Sequence, residues 1–289
     1  MDVKKPVFIV GVGRSGSTVF HKIFARHPQV SWLSNLCDKY PHTPSINRFL
    51  MRAIDYPFIG QYLQKRTYPE ESYVFWDAHC KGFRVPCRDL VAADVTLKMK
   101  ETVRNVMAAM LAKERTRLLV KVTGWPRVGF LHEIFEDAKF IHIVRDGRAV
   151  ANSFINMDWW WGWRGPSNWR WGELTPAQNE EWEKHGRSFL VLACIEWKIL
   201  MDAMEQAKTA VPKENFLEIK YEDLCSEPAG VFKNVIEFCE LQHSKKFDML
   251  VKQYPLKNIN SKWKRELTAD QQRLIANVLD GHLKKYQYI

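Results

Sequence analysis

Three glycines follow an apolar segment near the N-terminus, in the stretch VFIVGVGRSGSTVF at residues 7–20. Gly11, Gly13 and Gly16 satisfy the pattern G-x-G-x-x-G, and Gly11 and Gly16 also have the spacing of the two glycines in a Walker loop. A strand that turns through glycines into a helix directs several backbone N–H groups and the positive end of the helix dipole at one point. The stretch therefore predicts a P-loop-like turn that binds an anion, and most anions bound in this way are phosphates.

Neither familiar nucleotide-binding pattern is complete in this stretch. A Walker loop places Lys after the last glycine, whereas here Ser17 stands at that position and Arg14 supplies a cation inside the loop. A Rossmann fold needs a second strand that ends in an acidic residue about 20 residues further on, and the candidate, Asp38, follows a poor strand. A P-loop or Rossmann-type nucleotide enzyme therefore remains open as an alternative.

A second group of polar residues lies in KFIHIVRDGRAVANSF. Arg145 ends a predicted strand, and Ser153 follows eight residues later on the next predicted helix, about two turns along it. Lys121 ends the preceding predicted strand, LLVKVTGW. Because open α/β sheets bind ligands at the carboxyl ends of their strands, we expect Arg14, Lys121 and Arg145 to meet at one edge of a sheet.

Apolar runs of strand length alternate with helical patterns along the chain, which is typical of a parallel α/β sheet. Strands are predicted at 7–12, 118–123, 139–145 and from Phe216, and helices at 17–26, 127–135, 147–156, 228–239 and after Thr268. The predicted fold class is α/β, with one domain over residues 1–289 whose central parallel sheet is flanked by helices. Residues 34–100 and 157–175 are predicted to cover the sheet and one side of the site.

The charge balance and the cysteines limit the partners and the compartment. Lys and Arg number 43 against 33 Asp and Glu, a net charge of +10, which favours anionic ligands or surfaces. The six cysteines show no Cys/His spacing for a metal and no disulfide framework, so reduced thiols in the cytoplasm are expected. We expect no membrane span and no nucleic acid partner. A basic, non-catalytic nucleic-acid-binding protein remains an alternative, although no recognised module is present.

Together these motifs resemble the sulfotransferases that use 3′-phosphoadenosine 5′-phosphosulfate (PAPS). The resemblance extends from residue 7 to the C-terminus, with every motif in the family's order. In that family a loop similar to GRSGST holds the 5′-phosphosulfate, which implies this role for Gly13, Arg14, Ser15, Gly16, Ser17 and Thr18. An Arg and a Ser that match Arg145 and Ser153 hold the 3′-phosphate. Tyr221 matches a tyrosine near the adenine, and NINSKWKREL is similar to the basic loop that closes over the 3′-phosphate, with Lys257, Trp263 and Lys264 as its candidate contacts.

The resemblance implies transfer of a sulfuryl group from PAPS, with adenosine 3′,5′-bisphosphate (PAP) as the product and no metal. Arg14 and Lys121 are the candidates for stabilising the charge on the leaving group. The general base is a departure from the family, because the position that holds His in its cytosolic branch is Thr123 here. Asp38, Asp77 and His79 are the remaining candidates, and His has the most suitable reference pKa.

A tryptophan-rich segment, DWWWGWRGPSNWRWG, follows the helix that carries Ser153. Trp159, Trp160, Trp161 and Trp163 are candidate contacts for the acceptor, as a lid beside the donor site. A glycan or glycolipid is the first expectation for an acceptor hydroxyl, and an aromatic or lipid alcohol is the second. Core packing and a peripheral contact with a membrane surface remain alternatives for this segment.

Overall fold

The computed structural model describes residues 2–289, apart from the side chain of Gln61. Its centre is a five-stranded sheet of strand order β2-β3-β1-β4-β5, in which all neighbouring strands run parallel. The strands are β1 (Val7–Gly11), β2 (Val30–Trp32), β3 (Arg117–Thr123), β4 (Lys139–Val144) and β5 (Phe216–Lys220). The predicted parallel α/β sheet is therefore confirmed.

Fifteen α-helices surround this sheet in the described chain. They are α1 (Ser17–Phe24), α2 (Asn35–Lys39), α3 (Pro44–Ala53), α4 (Ile59–Arg66), α5 (Tyr73–His79), α6 (Leu97–Met110), α7 (Val128–Ile134), α8 (Gly147–Phe154), α9 (Pro176–Lys184), α10 (Phe189–Ala207), α11 (Tyr221–Ser226), α12 (Pro228–Phe238), α13 (Lys245–Gln253), α14 (Trp263–Glu266) and α15 (Ala269–Lys285). Thr268 caps α15 as expected, since its side chain accepts a hydrogen bond from the backbone N–H of Gln271.

Several elements differ from the sequence-based expectations, among them the helices α2–α6, which lie or begin within residues 34–100. The edge strand β2 was not predicted, because three residues are too few to show a period. Helix α10 was also missed: residues 190–197 are all buried, and a helix that is apolar on every side has no polar stripe to mark its period. The strand from Phe216 ends at Lys220, since Tyr221 already begins a helix.

The core lies on both faces of the sheet. Alternate residues of β1 point to opposite sides, so that Phe8 packs against Phe135 and Phe140, whereas Ile9 joins the cluster that contains Phe20. A third cluster joins α8, α10 and α15 and contains six buried tryptophans. Within residues 2–289, no helix is long and apolar enough to cross a membrane.

Candidate functional site

The glycine loop forms a tight turn between β1 and α1. Arg14 and Gly16 have φ values of 70° and 89°, and α1 begins directly after Gly16. A Cβ atom at Gly16 would lie 2.3 Å from Cδ2 of Tyr221, so only glycine allows the aromatic ring to lie against the loop. Ser15 is buried, and no residue in the described part of the chain pairs with its hydroxyl. The loop thus presents the backbone and hydroxyl donors that an anion needs.

Lys121 lies next to this loop because β3 pairs with β1, with Lys121 opposite Ile9. Its side chain is almost fully buried, and Nζ lies 2.9 Å from Oγ1 of Thr18 and 2.8 Å from Oε1 of Glu71. Glu71 comes from the segment between α4 and α5, and it also accepts a hydrogen bond of 2.9 Å from the hydroxyl of Thr123. The loop, Lys121 two residues before the end of β3, and this carboxylate therefore form one polar cluster.

The protonation of Glu71 is controlled by that cluster. Burial alone would raise its pKa, but the charge of Lys121 and hydrogen bonds from Lys121, Tyr73 and Thr123 hold the pKa of this carboxyl below its ordinary value. Glu71 and Lys121 both line a cavity of about 280 Å³ that Arg14, Thr18 and Trp159 also border. An ionised carboxylate thus faces the space in front of the glycine loop.

Arg145 and Ser153 lie on the other side of the loop. Arg145 follows β4, its guanidinium lies 4.4 Å from the centre of the Tyr221 ring, and Nη1 donates to the carbonyl of Arg14 at 2.8 Å. Nε of Arg14 donates to the hydroxyl of Ser153 at 2.9 Å, and Nε of Arg145 donates to the side chain of Asn260. None of these acceptors is a carboxylate, so both cations keep their charge available for an anionic ligand.

The two guanidinium groups also affect each other electrostatically. Partial desolvation and then the charge of Arg145 lower the pKa of Arg14, and burial lowers the pKa of Arg145. Placing two cations together without a counter-ion costs free energy. A bound anion would offset this cost.

Two cavities adjoin this pair of arginines. A cleft of about 510 Å³ is lined by the loop, Arg145, Tyr221, Lys257 and Ile259. A smaller pocket of about 80 Å³ is lined by Arg14, Arg145, Asn152, Ser153, Asn156, Lys262 and Trp263, among others. The larger cleft has room for a nucleoside, and the smaller one has cations and hydroxyl or amide donors suited to a phosphate.

The C-terminal basic loop differs from the expectation in one cation. Trp263 is buried and Lys262 lines the small pocket, where it also pairs with Glu266 at 2.9 Å. Lys264 is exposed, lies 5.7 Å from the centre of the Trp263 ring, and does not line the pocket. Lys262 is therefore a further candidate contact, because Lys262 and Lys264 lie on either side of Trp263, where α14 begins, and project in different directions. The role of Lys264 stays a prediction.

The three residues named as candidate bases lie outside the cavity that holds Lys121. Asp38 accepts the backbone N–H of Phe75 at 3.0 Å, and Asp77 accepts that of Arg84 at 2.9 Å. Nδ1 of His79 bonds to the carbonyl of Phe75 at 2.8 Å. These contacts hold α5 and its neighbours together, and the expectation that one of the three is the base stays a prediction. Sequence reasoning missed Glu71, which stands in a stretch without periodicity.

The tryptophans predicted to bind the acceptor have four different environments. Trp159 is 58 % exposed, lies 5.9 Å from the Arg14 guanidinium and lines the cavity of Glu71. Trp161 is half-buried beside a narrow pocket of about 60 Å³. Trp160 is only 3 % exposed and donates to Glu196 at 2.6 Å. Trp163 packs against Phe189 with ring centres 4.9 Å apart and lines none of these cavities. Trp160 is therefore packed in the core, where it also borders the narrow pocket, and Trp163 borders none of these cavities; an acceptor contact by either residue stays a prediction.

The contrast between Trp159 and Trp160 gives a stability prediction. We expect Trp160→Ala to lower the free energy of unfolding by about 3–5 kcal/mol, because it leaves a large cavity. It also leaves Glu196 without its indole partner, and burial already raises the pKa of that carboxyl to about 7. Trp159→Ala should leave the melting temperature unchanged. Thermal unfolding of the two variants checks this, and a Trp160→Ala protein as stable as the wild type would contradict the core assignment.

A parallel sheet with a glycine turn between its first strand and helix, and arginines beside that turn, is the P-loop-like arrangement that the sequence predicted. The comparison with known families agrees. The model described as "Sulfotransferase family" matches residues 6–245, and the chain belongs to that family. The resemblance seen in the motifs is thus confirmed, and the Rossmann-type and nucleic-acid-binding alternatives are set aside.

Similarity to individual proteins is low but extends over most of the chain. The omega-hydroxy-beta-dihydromenaquinone-9 sulfotransferase Stf3 of Mycobacterium tuberculosis is 22 % identical over 322 residues, which cover 98 % of this chain and 75 % of that protein. An uncharacterized protein of Aquifex aeolicus is 25 % identical over 242 residues, 82 % of this chain, but this chain spans only 26 % of that protein's length. The sulfotransferase STF9 from Mycobacterium avium has a similar fold, with a TM-score of 0.60, 16 % identity, and coverage of 99 % of this chain and 77 % of that one.

Proposed function

We propose that this protein transfers a sulfuryl group from PAPS to a hydroxyl group of an acceptor. The observation that supports this most strongly is the pairing of Arg14 with Arg145, two cations without a carboxylate partner on one side of the glycine loop. ATP and NAD have no phosphate at the 3′ position, whereas PAPS has one. A second anion site beside the loop is therefore the feature that favours PAPS over other nucleotides.

The residues of the site fit this co-substrate. Residues 13–18 would hold the 5′-phosphosulfate through backbone N–H groups, and the unpartnered hydroxyl of Ser15 is available to the same ligand. Arg145, Ser153 and Lys262 would hold the 3′-phosphate, since all three line the small pocket. Tyr221 borders the larger cleft and would contact the nucleoside. Turnover without a divalent metal stays a prediction; within residues 2–289, no cluster of three or more His, Cys, Asp or Glu side chains is arranged for a metal ion.

The electrostatics of the loop suit a leaving group that gains negative charge. When bound, PAPS would supply the sulfuryl group, and its bisphosphate portion would leave with the added charge. Lys121 and Arg14 are fixed next to the loop by hydrogen bonds to Thr18 and Ser153. Cations and N–H groups held in place before the reaction stabilise such charge without a reorganisation cost.

Glu71 is our proposed general base. Its carboxylate lines the same cavity as Lys121 and Trp159, on the open side of the loop where an acceptor would approach. An anion at the loop competes with Glu71 for Lys121, and losing part of that ion pair raises the pKa of the carboxyl. Glu71 would thus become a stronger base when the donor site is filled.

A lipid alcohol is the acceptor class that we favour over a glycan. The exposed ring of Trp159 borders the cavity of Glu71, and an aromatic face suits an apolar acceptor. The name of the relative Stf3 indicates an acceptor with a terminal hydroxyl on an isoprenoid quinone. A glycan or glycolipid hydroxyl is the second candidate, because sugar faces also stack on tryptophan.

Calorimetry with PAP and AMP tests the proposed donor. We expect much tighter binding of PAP, because AMP has no group for Arg145 to contact. Arg145→Ala should remove most of this preference, about 10- to 150-fold for a charge-assisted contact worth about 1.5–3 kcal/mol. The affinity for AMP serves as an internal control for the integrity of the glycine loop.

Two lysines that lie two residues apart provide a matched control. Lys262→Ala should weaken PAP binding relative to AMP, whereas Lys264→Ala should leave both affinities unchanged, since only Lys262 lines the small pocket. Equal affinities of the wild-type protein for PAP and AMP would contradict the assignment of PAPS as donor.

A further inference from the structure

The helical hairpin formed by α3 and α4, residues 44–66, exposes an unusual number of large apolar side chains. These are Phe49, Tyr56, Phe58, Ile59 and Tyr62. Phe58 is 85 % exposed and Phe49 is 72 % exposed, values typical of a fully solvated side chain. The opposite side of the same hairpin is ordinary core, with Leu50, Met51 and Ile54 buried. Several large apolar side chains exposed on one hairpin suggest an interaction site.

The tip of the hairpin is held in a defined position. A Cβ at Gly60 would lie 2.2 Å from the carbonyl oxygen of Ile54, so α4 starts in direct contact with the end of α3. The side chain of Gln64 donates to that same carbonyl at 3.2 Å. The turn at residues 55–58 is therefore held in a fixed position. Burying its aromatic side chains against a partner surface thus costs little further conformational entropy.

Both helices of the hairpin also carry exposed cations. Arg48 and Arg52 are exposed on α3, and Lys65 and Arg66 are exposed at the end of α4. Among the residues that the structure describes, none of these four forms an ion pair, and the one carboxylate of the hairpin, Asp55, is bound to Arg115 at 2.8 Å. The hairpin thus combines exposed aromatic and aliphatic side chains with exposed cations, unpaired within the described chain, on both of its helices.

We propose that this hairpin docks the protein on the surface of an anionic lipid bilayer. Aromatic side chains favour the interfacial region of a membrane, and exposed Lys and Arg residues are attracted to its negative surface. A second copy of this chain fits less well, because a symmetric contact would bring the same unpaired cations face to face. The inference goes beyond sulfuryl transfer, and binding to lipid is measurable without donor or acceptor.

The hairpin lies next to the candidate site, so docking would also orient that site. The chain leaves α4 at Arg66 and reaches Tyr68, Pro69 and Glu71, all of which line the cavity in front of the glycine loop. Ile54, Gln64 and Thr67 line a neighbouring cavity of about 280 Å³ that shares Lys22, Tyr68 and Pro69 with it. A docked hairpin would therefore place the opening of the acceptor side next to the bilayer surface.

Flotation of the full-length protein with vesicles tests this proposal. We expect binding to vesicles that contain phosphatidylglycerol and much weaker binding to pure phosphatidylcholine. Phe58→Asn with Ile59→Ser should reduce binding by about tenfold or more; Asn is chosen because Phe58 has a φ of 64°, which Asn tolerates. Arg48→Gln with Arg52→Gln should reduce binding about 25-fold, on the anionic vesicles only.

A matched control variant removes an apolar and a cationic side chain from another exposed element. Leu97 is 81 % exposed and begins α6, and Lys98 follows it. Leu97→Ser with Lys98→Gln should bind vesicles as the wild type does, and all variants should keep their melting temperature and their affinity for PAP. Wild-type protein that fails to bind anionic vesicles, or hairpin variants that bind them as well as the control does, would overturn the proposal. The proposal would also be overturned if the wild-type protein were a dimer and the Phe58 and Ile59 substitutions dissociated it, because the hairpin would then contact a second copy.

Discussion

Replacement of Glu71 by Gln should lower kcat by a factor of about 10²–10⁴, the range expected for loss of a general base. Gln keeps the shape of the side chain and its hydrogen bond to Thr123, but it accepts no proton from an acceptor hydroxyl. The affinity for PAP should not fall, because Glu71 lies on the acceptor side of the loop and repels anions. Steady-state kinetics and calorimetry on the same preparation measure both quantities.

The preceding residue is the control for this experiment. Glu70 lines the same cavity, but its carboxylate accepts the backbone N–H of Glu71 at 3.1 Å. Glu70→Gln should therefore keep most of the activity. If both variants were equally active, Glu71 would not be the base.

The pH dependence of the rate provides a second readout for Glu71. In the free protein Lys121 holds the pKa of Glu71 below its ordinary value, so the acid limb of kcat/KM should lie below pH 4.5, the ordinary value for Glu. With donor bound, the competition for Lys121 raises this pKa, and the acid limb of kcat should lie at a higher pH. Loss of both limbs in Glu71→Gln would assign them to this carboxylate.

Lys121→Met should lower kcat by a factor of about 10²–10³, because it removes a fixed cation from the point where the leaving group gains charge. It should also destabilise the protein by up to about 3 kcal/mol, since the change leaves the largely buried carboxylate of Glu71 without its counter-ion. Activity assays and chemical denaturation check the two effects.

A double variant separates these effects. Lys121→Met combined with Glu71→Gln removes both charges, so most of the lost stability should return while the activity stays low. The stability contributed by the ionised Glu71 is present above the pKa of an unfolded Glu and is lost as the pH falls through the lowered folded value. The single variant should therefore be least stable relative to wild type at neutral pH. Full activity in Lys121→Met would show that this lysine has only a structural role.

Local sequence patterns predicted four of the five strands, the phosphate-binding turn and the edge at which the cations meet. Apolar strands and a glycine turn are local patterns, so they can be read without knowing what packs around them. Once β1, β3 and β4 are neighbours in a parallel sheet, Arg14, Lys121 and Arg145 must lie at the same carboxyl edge. The agreement of local pattern and global topology made this part of the site predictable.

Only the tertiary structure decided which side chains complete the site. Glu71 lies in a segment without periodicity and reaches Lys121 through a contact between residues 50 positions apart in the chain. Trp159 and Trp160 are adjacent in the sequence, yet one is open to the cavity and the other is packed against Glu196. Lys262 faces the small pocket and Lys264 does not, because of where α14 begins. Long-range packing sets each of these choices, and no local pattern carries that information.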